Sequence, residues 1–235
     1  MAIENILSRI EADGQRLTIG LTKQLVAPGE SVGVIVECAG RPVRWELEHV
    51  TLEIEVPYRS SDGYTKTTLQ HSTLLEDTTI ESELTEVRDY QMTIPRQMPR
   101  PVGGTDVLVS VEIATGTKTF VREQPLDVEV PAFQALFQAM IELGFTHREV
   151  EHVAVSSALP FAQRLVFERV EDSAPTTLDQ VTLYYQPTEN GIRAFVRDEA
   201  GREPLVGFDP SRFDVTIDPE TDTDAARETI LSLLP

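Results

Sequence analysis

Alternation at every second residue runs through most of the chain. Leu17, Ile19 and Leu21 alternate with Thr18, Gly20 and Thr22, and Val32, Val34, Val36 and Cys38 repeat the spacing. Successive side chains of a strand point to opposite faces, so these runs predict half-buried β-strands. Trp45 and Leu47 share one parity, whereas Val50, Leu52, Ile54 and Val56 take the other. A strand cannot change its buried face without a device, which predicts a bulge or bend near Glu48-His49. Further strands are predicted around Tyr90–Ile94, Val107–Ile113, Leu126–Val130, Val153–Val155, Leu165–Phe167, Leu178–Tyr185, Ile192–Arg197 and Phe213–Ile217. Turn chemistry separates them. Ala27-Pro28-Gly29-Glu30 suits a type II turn, Ser60–Gly63 and Thr115-Gly116 suit hairpins, and Glu189-Asn190-Gly191 suits a tight one. The prolines at 95, 99 and 101 exclude that stretch from a central strand.

Three segments break the period. In Pro131–Gly144, Phe133, Leu136, Phe137, Met140 and Ile141 recur at helical spacing, with Pro131 suited to the first turn and Gly144 to the residue after the end. Ile3, Ile6, Leu7 and Ile10 share that spacing and predict a short N-terminal helix ending near Gly14 and packing on the first sheet. Asp222, Thr223 or Asp224 can cap a terminal helix carrying Ala226, Ile230 and Leu234. The expectation is an all-β chain of two antiparallel β-sandwich domains, residues 1–130 and 131–235, with an amphipathic helix at the junction. The stripe Phe133, Leu136, Phe137, Met140 and Ile141 is then the candidate interdomain or partner interface.

Charge narrows the function. The chain has 39 acidic and 20 basic residues in 235, a net charge of −19. Residues 1–130 hold 21 acidic against 12 basic residues and residues 131–235 hold 18 against 8, so the halves carry −9 and −10. Neither half offers a basic surface for nucleic acid. Only Lys23, Lys66 and Lys118 are lysines. An acidic, lysine-poor surface fits a protein adapted to high salt, and also an acidic protein of a high-GC bacterium. Cys38 is the single cysteine, which excludes an internal disulfide and predicts a buried, inert thiol. The N-terminus lacks a signal-peptide core and no apolar run is long enough to span a bilayer, so a cytoplasmic location is expected.

Candidate chemistry is thin. His49, His71, His147 and His152 lack metal-ligand spacing, and five residues of regular strand place His147 and His152 on opposite faces. Asp218, Glu220, Asp222 and Asp224 imitate a calcium loop, but Thr223 and Thr229 stand where it needs glycine and glutamate. His152, Ser156, Ser157 and Asp172 could be forced into a triad, without a nucleophile turn to support it. Gly103-Gly104 lacks a phosphate-loop lysine. No catalytic residue, cofactor or metal site is assigned.

Some segments resemble known ones. Leu25-Val26-Ala27-Pro28-Gly29-Glu30 through Val36, with the proline-punctuated Ile94–Pro101 connection, resembles arrestin-type domains. Val130-Pro131-Ala132-Phe133 through Met140, Glu142-Leu143-Gly144-Phe145 and Leu159-Pro160-Phe161-Ala162-Gln163 resemble the sporulation-control protein family of bacteria and archaea. That resemblance implies an arrestin-like pair of β-sandwiches in a non-enzymatic, cytoplasmic regulatory or scaffolding protein that binds an unidentified protein partner. The alternative is a ligand- or carbohydrate-binding double sandwich. Its usual exposed aromatic platforms are poorly supplied, since Trp45 is the one tryptophan. A hydrolase on a β scaffold lacks a catalytic constellation.

If the acidic surface is an adaptation to salt, melting temperature should climb steadily with KCl, as the Debye length shrinks from about 30 Å at ~0.01 M to about 3 Å at ~1 M. A flat curve up to molar salt, followed by circular dichroism, would show that the carboxylates are already balanced locally.

Overall fold

The computed structural model describes residues 2–12, 15–40, 44–81, 86–170, 178–197 and 206–234. Most of them are strand, and the sheets are open. The chain divides into two compact units. One comprises Met1–Val56, Thr68–Pro95 and Val107–Val128, and the other Pro57–Thr67, Arg96–Asp106 and Glu129–Pro235.

In the first unit, β1 (Asn5–Ala12), β2 (Gln15–Leu21), β3 (Leu25–Val26) and β4 (Ser31–Gly40) come first. Next come β5 (Arg44–Ser60) and β6 (Gly63–Glu81), which also contribute to the second unit, then β7 (Glu86–Thr93), β8 (Leu108–Thr115), β9 (Lys118–Pro125) and β10 (Asp127–Val128). One sheet has the order β1-β2-β4-β7, all antiparallel. In another, β5 pairs with β8 and β6, and β8 with β9. The short β3 and β10 pair in parallel, against the antiparallel expectation. The alternating residues behave as read: Leu17, Ile19, Val34, Val36, Leu52, Ile54, Val109 and Val111 are fully buried.

The predicted change of face is present. Between Leu47 and His49 the pairing of β5 with β8 slips, and Glu48 is the extra residue. Leu47 and Val50 are therefore both buried, although they are three apart. Gly29 adopts φ 79° and Glu30 N–H donates to Ala27 O at 3.1 Å, as a type II turn requires.

The N-terminal helix is not formed, and Ile3–Ile10 lies instead in and beside β1. A bulge between Ile6 and Ser8 makes Leu7 the extra residue against β2. Leu7 and Ile10 then both point inward, 3% and 5% exposed, while Ile6 faces out. A bulged strand thus imitates the three-residue spacing of a helix. Gly14 lies outside the described residues.

The second unit opens with α1 (Pro131–Glu142) and continues through β11 (Phe145–Ala154), β12 (Phe161–Arg169), β13 (Gln180–Thr188), β14 (Gly191–Arg197) and β15 (Val215–Ile217) to α2 (Thr223–Leu233). The strands pair antiparallel in chain order. Val153 of β11 also bridges Arg59 in the far end of β5, in parallel. α1 has Pro131 in its first turn, and Gly144 beyond its end adopts φ 86°. Asp222 caps α2 by accepting Ala225 N–H at 2.9 Å. Residues Phe161–Phe167 are buried without alternation, because both faces of this sheet are covered. Phe133 and Phe137 of α1 pack on Tyr185 and Phe167 on one face. On the other, Tyr184 stacks flat on Phe195 and meets Phe208, with Phe213 beside them.

Phe133 is 4% exposed and Phe137 half-buried. Phe133→Ala should therefore cost about 3–5 kcal/mol and Phe137→Ala clearly less. Urea unfolding of both variants checks the order, and equal losses would mean that the helix sits differently.

Candidate functional site

Helix α1 turns a graded apolar face to its own sheet. Leu136 and Met140 are fully buried, Phe133 nearly so, Phe137 half-buried, and Ile141 39% exposed. The five residues singled out by spacing therefore divide into core anchors and a rim. From Tyr185 an aromatic seam runs through Phe133 (ring centroids 5.1 Å apart) to Phe137 (5.7 Å), and on to Phe167 (5.6 Å) and His147 (5.3 Å). Such tilted contacts add to simple burial.

Beneath this seam lies a buried polar network that sequence reasoning did not find. The Gln163 amide is fully buried. Its Nε2 donates to Arg100 O at 2.9 Å and Thr105 Oγ1 at 3.1 Å. Its Oε1 accepts the Tyr185 hydroxyl proton, and that hydroxyl accepts Arg100 N–H at 3.2 Å. Thr105 Oγ1 in turn donates to Val102 O at 2.9 Å. Burial pushes the Tyr185 hydroxyl far above its ordinary range, so it stays protonated as a donor. Because an unpaired buried polar group is costly, these mutual bonds tie the loop at 100–105 to β12 and β13. The signal was present in the chain: Gln163 shares the inward parity of Phe161, Leu165 and Phe167.

Helix, loop and the start of α2 enclose a cleft of about 700 Å³. Phe133, Phe137, Pro131, Pro101, Val102 and Ala135 supply its apolar lining, and Gln134, Gln138, Arg100, Asp222 and Thr223 its polar one. Gln134 Nε2 donates to Glu129 and Gln138 Nε2 to Glu142, each at 3.2 Å. Arg227 lies 3.9 Å from Glu142 and 3.1 Å from Asp224. Phe133 against Tyr185 fixes α1 from inside and the Gln163 network fixes the loop, so these two walls are preformed. Its size is that of a site for a small ligand or a few side chains of a partner.

The other candidate groups have ordinary partners. His49 meets Glu112 at 2.7 Å and His71 meets Glu53 at 2.9 Å. The expectation that His147 and His152 lie on opposite faces fails, because β11 has a bulge between His147 and Glu149. They sit opposite Phe167 and Gln163, which share one face of β12. His152 Nδ1 donates to Pro57 O at 3.0 Å. The triad does not assemble among the described residues. Ser156 Oγ donates to Gly207 O, Ser157 Oγ donates to Leu159 O, and Asp172 lies outside them. Gln186 Nε2 holds that Ser157–Phe161 loop through three bonds. No group of three His, Cys, Asp or Glu side chains converges as metal ligands among the described residues. Gly103 and Gly104 form a turn between Val102 and Thr105. Cys38 is buried, and desolvation pushes its thiol up to about 12. A further missed feature is an ion cluster around the buried Arg164. Glu151 receives Arg164 at 3.0 Å and Arg59 at 3.2 Å, and Arg164 also reaches Glu149 at 3.3 Å.

No helix among the described residues is long and apolar enough to cross a membrane. The profile of a family described as SpoOM protein matches residues 3–198. Among solved structures, the crystal structure of Spo0M, a sporulation control protein from Bacillus subtilis, superposes with a TM-score of 0.78 at 19% sequence identity. The match covers 94% of this chain and 98% of that one, and at this identity it speaks to the fold. No curated protein matches the chain.

Buried His152 has its pKa lowered to about 4, chiefly by desolvation and partly offset by its bond to Pro57. Its ring is therefore neutral when folded. In the unfolded chain it takes up a proton near pH 6.5, so the unfolded state binds more protons between about pH 6.5 and 4. Stability should fall as pH drops through that window, by about 3 kcal/mol from this group. His152→Gln keeps a donor for Pro57 and should remove that contribution. Parallel stability–pH curves for the two proteins, from urea unfolding, would refute it.

Proposed function

The chain belongs to the Spo0M family of sporulation-control proteins, and from this premise we propose that it is a non-enzymatic, cytoplasmic regulatory scaffold. In this reading its architecture is arrestin-like, with two β-domains, and it acts through protein–protein contacts. The observation that carries the reading is the preformed cleft beside α1. A docking surface needs a rigid apolar floor with a polar rim, since ordering flexible walls on binding would cost affinity. Phe137 supplies a partly exposed aromatic group on that floor, and Phe133 anchors it to Tyr185 in the core. Aromatic anchors of this kind dominate binding energies at protein interfaces. The rim carries the Gln134 and Gln138 amides, the Asp222 carboxylate, the Arg100 guanidinium and Thr223, which suits recognition more directly than bond cleavage. Adaptation to high salt would keep such an acidic scaffold folded and dispersed.

The test is a photo-crosslinking residue placed at Gln138, on the exposed side of α1, in cells producing the full chain. A discrete protein adduct is expected, and it should disappear in Phe137→Ala while the variant retains a cooperative melt. Adducts that persist in Phe137→Ala, or that form only from a control position on β9, would overturn the assignment of the cleft as the docking surface.

A further inference from the structure

The charge around the cleft is lopsided, and it points to the chemistry of the occupant. Asp222 lies in the lining. Glu129 and Glu142 stand behind the two rim glutamines, and Asp224 follows at the start of α2. Against these four carboxylates stand Arg100 in the lining and Arg227 behind it, a local balance of −2. The glutamines reinforce the bias. Each uses an amide N–H on a glutamate, while its carbonyl oxygen has no partner within the chain among the described residues. Asp222 spends one carboxylate oxygen on its cap bond to Ala225 and has a second oxygen to offer. The rim thus presents two amide carbonyls and one carboxylate oxygen as acceptors.

The floor below it is aromatic. A guanidinium or ammonium group is attracted to the face of a phenyl ring, and more strongly when both are desolvated. The chain already makes one such contact elsewhere, with the Arg193 guanidinium 5.4 Å from the Phe213 ring centre. An aromatic floor beneath acceptor oxygens in a chain of net charge −19 complements a cation carried on an apolar stem. An anionic or a purely apolar occupant would leave the two amide carbonyls and the second Asp222 oxygen without donors.

We infer that the α1 cleft takes an arginine or lysine side chain of a partner protein, flanked by apolar residues, with the cation over Phe137 and hydrogen-bonded to the Asp222 and glutamine oxygens. This inference rests on the scaffold reading above and names the chemistry of its partner. The contact is short-range. In concentrated salt, where charges further apart than about 3 Å are screened, a cation touching the ring and the carboxylate keeps its attraction.

The probe is the peptide acetyl-Leu-Arg-Leu-Leu-amide, titrated into the full chain and followed by amide and phenyl-ring NMR shifts. Saturable shifts confined to Phe133–Gln138, Arg100–Val102 and Thr223 are expected. Replacing the peptide arginine by citrulline, which keeps the shape and removes the charge, should weaken binding about tenfold or more. Phe137→Leu keeps the apolar area without the ring face, and Asp222→Asn keeps a capping oxygen without the charge. Each should weaken the arginine peptide several-fold and leave the citrulline peptide unaffected. Equal affinity for the two peptides, tighter binding of a glutamate analogue, shifts outside the cleft, or no shift up to the solubility of the peptide would each overturn the inference. If the Gln138 adduct forms while the peptide fails, only the chemistry assigned to the partner falls. If both fail, the scaffold reading falls with it.

Discussion

One buried amide holds the second unit in register. Gln163 stands in a strand whose neighbours on that face are Phe161, Leu165 and Phe167, and its amide is fully buried. Its only good state is the one in which Arg100, Thr105 and Tyr185 all reach it. A hydrogen bond made in such surroundings adds modestly to stability, but leaving it unmade is expensive, so the network selects one arrangement of loop and strands over its competitors. The loop carries Arg100–Val102 into the wall of the cleft, and Tyr185 supplies the surface on which Phe133 rests. The site therefore inherits its shape from a polar contact in the core.

Bulges decide which side chains meet. An extra residue in β5 reverses its buried parity, one in β1 sends Leu7 and Ile10 to the same side, and one in β11 brings His147 onto the face that carries His152. Each reassigns half a strand without altering its hydrogen-bonded partner. The third consequence is the most local to the site. His147 joins the ring seam with Phe137 and Phe167, while His152 packs on Phe161 and donates to Pro57. Both rings have their pKa values lowered by desolvation, so they serve as neutral packing groups at ordinary pH.

The excess of acid and the buried charges answer to different constraints. Exposed carboxylates repel one another through solvent and respond to salt. Inside the second unit, Arg164 is only 5% exposed and is met by Glu151, which also receives Arg59. A buried pair of this kind does little for net stability, because desolvation offsets attraction, yet removing one partner strands the other. It ties Arg59, from the far end of β5, to β11 and β12.

What the sequence by itself determined is the local grammar. Strand alternation, the Pro28-Gly29 turn, the Asn190-Gly191 hairpin, a cap for α2 within residues 222–224, and α1 with Pro131 in its first turn and Gly144 beyond its end all depend on neighbours a few residues away. So did the bulge in β5, because two apolar sets of opposite parity cannot both be buried otherwise. The family resemblance was also carried by continuous segments, Val130–Phe145 and Leu159–Gln163. Tertiary structure decided the rest. The N-terminal segment became a strand because β2 offered a pairing edge and a bulge absorbed the three-residue spacing. Gln163 was one polar letter in an apolar run until Arg100, more than sixty residues earlier, and Tyr185 closed around it. The cleft draws on the loop at 100–102, α1 and the start of α2. Separations of that size leave no period in the chain, because only packing brings the side chains together.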